Sequence, residues 1–141
     1  MVKQHKMKSL KVFLAIIVLT AVMGFYNDPN NTWNAVNRAI SGGNAAQLAQ
    51  HFPATVALSL PSRKGNFSTA QARSIMQAFF RDHPPASFTV HSSGQTTKGG
   101  RFHLGTYVTN KGVNFSVYVL LQPDPKKNNK EYVSRLTFEL K

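Results

Sequence analysis

The spacing of apolar residues changes period along this chain, and each change marks a predicted element. Trp33, Val36, Asn37 and Ile40 fall at helical spacing, and Gly42-Gly43 ends that helix. Asn44 is placed to cap a second short helix with Ala45, Leu48, Ala49 and Phe52 on its buried side, and Pro53 stops it. Val56, Leu58 and Leu60 then alternate with Thr55, Ala57 and Ser59, the period of a half-buried strand. Pro61 to Asn66 reads as a turn. Ser68-Thr69-Ala70-Gln71 matches a capping box, in which the serine hydroxyl and the glutamine amide satisfy free backbone N–H groups. Behind it Ala72, Ile75, Met76, Phe79 and Phe80 form a wide apolar stripe, and His83-Pro84-Pro85 ends the helix.

From Ser87 onward the pattern is that of strands. Phe88 and Val90 alternate with Thr89 and His91, followed by strands over Arg101 to Thr109, Val113 to Gln122 and Glu131 to Lys141. Helices gathered against one antiparallel sheet make an α+β domain. A two-residue turn at Lys111-Gly112 pairs Val108 with Phe115 and Leu104 with Val119. Phe102, Leu104, Thr106 and Val108 then share the apolar face with Phe115, Val117, Val119 and Leu121. The opposite face carries Arg101, His103, Gly105 and Tyr107, with Ser116, Tyr118 and Leu120 beside them and Arg135 on the last strand. Tyrosine with arginine is the composition of interface hot spots, so His103, Tyr107, Tyr118 and Arg135 are the interface candidates.

The first two dozen residues have a different character. Lys3, Lys6, Lys8 and Lys11 precede an apolar run from Val12 to Met23, and Gly24 leads into a polar stretch. Charged head, short apolar middle and small-residue exit are the parts of a secretory signal peptide. The run is short of the roughly 20 residues a membrane-spanning helix needs. The expected organisation is a signal peptide over 1–24, a linker over 25–32 and one domain over 33–141, exported to the periplasm or the medium. Membrane association would come only through an uncleaved leader. The chain has no cysteine, which excludes disulfides, thiolate metal sites and thiol nucleophiles together.

The net charge of +12 includes the leader lysines, yet the rest of the chain is still basic. Lys98 and Arg101 flank one turn of the meander, and Lys126, Lys127 and Lys130 occupy another at the same end of the sheet. This basic end is the candidate contact for an anionic surface or polysaccharide. Nucleic acid is disfavoured by export and by the lack of aromatic residues between these cations. His51 and His83 sit at helix ends, where a cation is favourable by ~0.3–1 kcal/mol. His91 and His103 fall on one face but lack a third ligand, so no metal or other cofactor is expected.

The run Ala39 to Ala45, the segment Leu58-Ser59-Leu60-Pro61, the helix start Phe67 to Ala72, Phe79-Phe80, Pro84-Pro85 and Tyr118 to Leu121 together carry a resemblance. They resemble a family of small exported bacterial proteins known as a domain of unknown function (number 4783). That family is similar to the nuclear-transport-factor-2-like superfamily. The resemblance implies a cone-like curved antiparallel sheet packed on three helices, also described as cystatin-like, and an exported location. It implies no activity. The superfamily holds isomerases, dehydratases, transport factors and dimerisation modules, and its enzymes place an Asp, or an Asp and His, inside the cone. The carboxylates here, Asp28, Asp82, Asp124, Glu131 and Glu139, fall in a linker, at a helix end, beside a loop or on the face away from the core. A non-catalytic binding or interaction module, forming a homodimer or meeting an envelope protein, is therefore the expected function. The competing reading is a small-molecule site or enzyme pocket between the sheet and the third helix, lined by Trp33, Phe79 and Phe80.

Overall fold

The computed structural model describes residues 31–141. The expected signal peptide and residues 25–30 of the expected linker lie outside the described residues. The chain runs α1 (Asn31–Ser41), α2 (Ala45–Ala49), β1 (Thr55–Leu60), β2 (Arg63–Ser68) and α3 (Thr69–Asp82), then β3 (Pro85–Gln95), β4 (Arg101–Thr109), β5 (Asn114–Asp124) and β6 (Lys130–Leu140). One curved sheet has the order β2-β1-β6-β5-β4-β3. Its inner face carries the three helices, so the domain is α+β.

The helix boundaries follow from local chemistry. Gly43, at φ +61°, closes α1 in a Schellman motif: its amide donates to Ile40, and the Asn44 amide donates to Ala39 at 2.8 Å. Asn44 then turns from C-terminal stop to N-cap, its side chain accepting from the Gln47 amide at 3.0 Å. The capping box at α3 is complete. Ser68 Oγ accepts from the Gln71 amide, and the Ser68 amide donates to Gln71 Oε1. Pro85 opens β3 on a sheet edge, where a strand tolerates a missing donor.

Three expectations about the strands need correction. Pro61 to Asn66 is not all turn: only Pro61 and Ser62 are, and Arg63 to Ser68 return as an edge strand against β1. The sheet is also not purely antiparallel, because β1 runs parallel to β6. The larger correction concerns the turn between β4 and β5. It has three residues, Asn110-Lys111-Gly112, closed by the Gly112 amide donating to Thr109 and the Thr109 amide donating to Val113. Gly112 sits at φ +77°, the left-handed position of a three-residue hairpin. The extra residue pairs His103 with Val119, Leu104 with Tyr118 and Tyr107 with Phe115. A one-residue change in register turns every side chain of a strand to the other face. Tyr107 and His103 are therefore inside, and Leu104 is outside at 41% exposure.

The core is aromatic at its centre. Phe79 and Phe80 of α3 meet Tyr107, Phe115 and Phe138 of the sheet, with Phe79 and Phe138 centroids 4.7 Å apart. Edge and tilted contacts of this kind add about 0.5–1.5 kcal/mol per pair beyond area burial. The Tyr107 hydroxyl donates to the His83 carbonyl at 2.6 Å, tying β4 to the end of α3, and burial pushes its pKa far above the ordinary tyrosine value.

Candidate functional site

The space between the sheet and α3 is largely occupied by side chains, with a small hollow of about 180 Å³ at its edge between α3 and β1–β2, lined by Phe79, Asp82 and His83. Phe79 and Phe80, expected to line a pocket there, are buried in the aromatic core. Trp33 stands elsewhere: from the first turns of α1 its ring lies parallel to the His103 imidazole, with centroids 3.6 Å apart. The three pocket candidates thus do not enclose a common cavity.

His103 is the centre of a small polar group on the inner face. A bulge between Val90 and Ser92 shifts β3 by one residue and brings Ser93 directly opposite His103. Ser93 Oγ and His103 Nδ1 share a hydrogen bond of 2.7 Å. The other ring nitrogen, Nε2, is buried without a protein partner among the described residues. Burial lowers the His103 pKa, the nearby Arg101 guanidinium lowers it further, and Glu131 partly opposes them. Arg101 donates through two nitrogens to both oxygens of Glu131, with its Nε 2.8 Å from Oε2. That ion pair is largely enclosed and bridges β4 to β6 across β5.

The expected placement of His91 and His103 on one face is overturned. His91 lies on the outer face, its Nε2 2.8 Å from Thr106 Oγ1, while His103 points inward. The expected interface set divides for the same reason. His103 and Tyr107 are on the inner face, and Tyr118 and Arg135 remain on the outer one. Beside them stand Leu104 and Leu120, residues that a two-residue turn would have buried or left isolated. These side chains line a shallow hollow of about 530 Å³ on the outer face. Phe102 stacks on Tyr118 next to it, with centroids 6.3 Å apart and ring planes at 19°.

The two turns carrying the basic residues do lie at one end of the sheet, since the Arg101–Glu131 bridge joins the strands that leave them. Lys98, Lys126, Lys127 and Lys130 are exposed there. Arg101 is corrected as an anion candidate, because Glu131 already satisfies its charge. The β5–β6 turn forms one wall of a cleft of about 570 Å³ that the sequence pattern did not reveal. The cleft exists only because the connection between α2 and β1 folds against the start of β6, where the Val133 amide meets the His51 carbonyl, a contact between residues 82 positions apart in the sequence.

A family model, Domain of unknown function (DUF4783), matches residues 33–139, nearly the whole described chain. The chain belongs to the DUF4783 family. A crystal structure of a DUF4783 protein from Bacteroides ovatus superposes with a TM-score of 0.68 at 24% identity, covering 76% of this chain and 93% of that one. An NTF2-like protein of unknown function from Cytophaga hutchinsonii gives 0.54 at 9% identity, over 81% and 90% of the two chains. An uncharacterised cystatin-fold protein from Novosphingobium aromaticivorans gives 0.58 at 12%, over 79% and 97%. These likenesses establish an NTF2-like, cystatin-like fold for this DUF4783 domain, and fold alone names no activity. No curated protein matches the sequence.

Proposed function

We propose that this DUF4783 protein is an exported, non-catalytic binding module of the bacterial cell envelope that self-associates through the outer face of its sheet. The observation that carries the reading is the outer face itself. Leu104 is 41% exposed on a central strand, opposite Tyr118 and within one hollow with Leu120 and Arg135. A lone exposed leucine is ordinary, but apolar and aromatic side chains grouped beside an arginine have the composition of a contact core. The basic end is the second contact surface and suits an anionic partner.

The pocket reading has less support, because Trp33, Phe79 and Phe80 line no common cavity; in the aromatic cluster between sheet and α3 the Tyr107 hydroxyl is committed to the His83 carbonyl, and the His83 ring packs on Phe79 and Phe115. An acid–base catalyst needs a proton-transferring group within reach of a bound substrate.

Sedimentation velocity of the protein recovered from the envelope fraction, N-terminus determined at the same time, tests the reading. The expected species begins at Phe25 and is a dimer, and Leu104→Glu or Tyr118→Asp converts it to a folded monomer. A wild-type chain that stays monomeric at high concentration would sink the self-association reading, and one that keeps Met1 would sink the cleaved-export reading.

A further inference from the structure

The lysines of the β5–β6 turn do not stand on an open surface. Lys126, Lys127 and Lys130 line one side of the 570 Å³ cleft together with Tyr132, and His51 and Pro53 line it from the α2–β1 connection. Both walls are fixed. The Val133 amide donates to the His51 carbonyl at 2.8 Å, and Thr69 Oγ1 donates to the Pro53 carbonyl at 2.6 Å. The turn is closed by Asp124, whose side chain accepts from the Lys126 amide and whose carbonyl accepts from the Asn129 amide at 2.9 Å. Asn128 and Asn129 both hold left-handed backbone, a conformation asparagine tolerates better than most residues.

The two carboxylates that line the cleft are already used. Glu131 gives both oxygens to Arg101, and Asp124 caps its own turn. Among the described residues, no carboxylate forms an ion pair with Lys126, Lys127 or Lys130. The unbalanced positive field is felt at His51, whose pKa is lowered by burial and further by Lys130. The charged and titratable groups around it in the cleft are Asp124, Lys126, Lys127, Lys130, Glu131 and Tyr132.

We propose that this cleft binds a carboxylate-bearing sugar unit of an acidic polysaccharide. The inference rests on the reading of the basic end as an anion contact and assigns it a place and a ligand class. The lysines take the carboxylate as point charges, and the sugar ring lies over Tyr132 and Pro53. A ring fits the geometry better than a bare anion does. The volume is in the range of small-molecule sites, and beside its cations the cleft offers an aromatic and a prolyl face that a compact inorganic anion would leave uncovered. Lysine makes no planar fork, so the charge is held while the ring sets the orientation.

The test is calorimetric titration of the full exported chain with the trimer of galacturonic acid, the neutral galactose trimer, inorganic phosphate and anionic phosphatidylglycerol vesicles. The acidic trimer is expected to bind and the neutral one not to. Lys126→Ala with Lys130→Ala, both on exposed side chains, should weaken binding roughly tenfold or more, as expected for loss of charge-assisted contacts. An anion beside His51 favours its protonated form, so binding should strengthen as pH falls from about 7.5 to about 5.5, with the His51 NMR titration moving upward on binding. If the acidic trimer binds but only Lys98→Ala weakens it, the basic end stands and the cleft assignment falls. Phosphate or vesicles binding in place of the trimer overturns the saccharide class. No binding to any anionic probe at low salt overturns the basic-end reading itself.

Discussion

At the scale of single residues, the inner-face histidine is the least expected feature. His103 stacks on Trp33, shares one hydrogen bond with Ser93 and leaves Nε2 buried without a partner among the described residues. Such a ring is held neutral, because a second proton would place a charge in an enclosed site beside a guanidinium. The consequence for stability has a definite sign. Both His103 and His51 have folded pKa values below the ordinary 6.5, so the unfolded chain binds more protons than the folded one as the solution is acidified. Stability is therefore full above the unfolded value and falls as pH drops below about 6.5 toward the folded values. Trp33 is the single tryptophan of the chain, so its fluorescence reports melting and the state of the stack together. The melting temperature should decline on acidification, and His103→Phe should remove part of that slope. An unchanged slope in the variant would mean that His103 titrates normally. No sequence signal marked His103 as buried. It lies on the strand set with fewer apolar residues, and only a tertiary partner, Trp33, accounts for its place.

At the scale of elements, the turn between β4 and β5 decides most of what the surface looks like. Gly112→Ala, at φ +77°, should cost about 1–2 kcal/mol in chemical denaturation, the penalty of a left-handed non-glycine residue. Deleting Lys111 should do far more. A two-residue loop would turn Tyr107 and His103 outward and drive Leu104 and Phe102 into the core, and loss of cooperative unfolding is expected. A normally folded deletion variant would show that parity is set elsewhere. The helix boundaries were legible because each is local: a capping box, a Schellman glycine, a double proline. The hairpin itself was legible for the same reason. Its parity was not, because both faces of β4 offer apolar or aromatic residues. The even set reads as more apolar, yet the odd set is the one buried. Gly105 shows part of the reason. A Cβ there would lie 2.6 Å from the Thr89 carbonyl oxygen, so the odd face is where β3 and Phe88 close over the strand.

At the scale of the whole molecule, the basic end joins two strands that are not neighbours. Arg101 on β4 and Glu131 on β6 clasp across β5, and each is mostly enclosed. Removing the carboxylate of this pair takes an opposite charge from a largely enclosed guanidinium, which costs up to about 3–5 kcal/mol. Glu131→Gln should thus lower stability strongly in equilibrium unfolding, by more than Glu139→Gln on the outer face. Equal effects would mean that the pair is solvated in solution. The clasp also divides the cations of this end, since it engages Arg101 with Glu131 and leaves the lysines exposed. The division between a filled inner space and a patterned outer face likewise belongs to this scale, because it depends on three helices closing over one curved sheet.

The sequence by itself determined the α+β class, the helix ends, the strand-rich second half and the clustering of cations at one end of the meander. These depend on residue types at short spacing, where propensity, capping and periodicity act. Only the tertiary structure decided which face of β4 is buried, that β1 joins β6 in parallel, that Arg101 is spent on Glu131, and that His51 and Tyr132 share a cleft with the lysines. Each of these depends on a contact between segments distant in sequence, and two segments that pack equally well by composition are told apart only by what the folded chain sets against them.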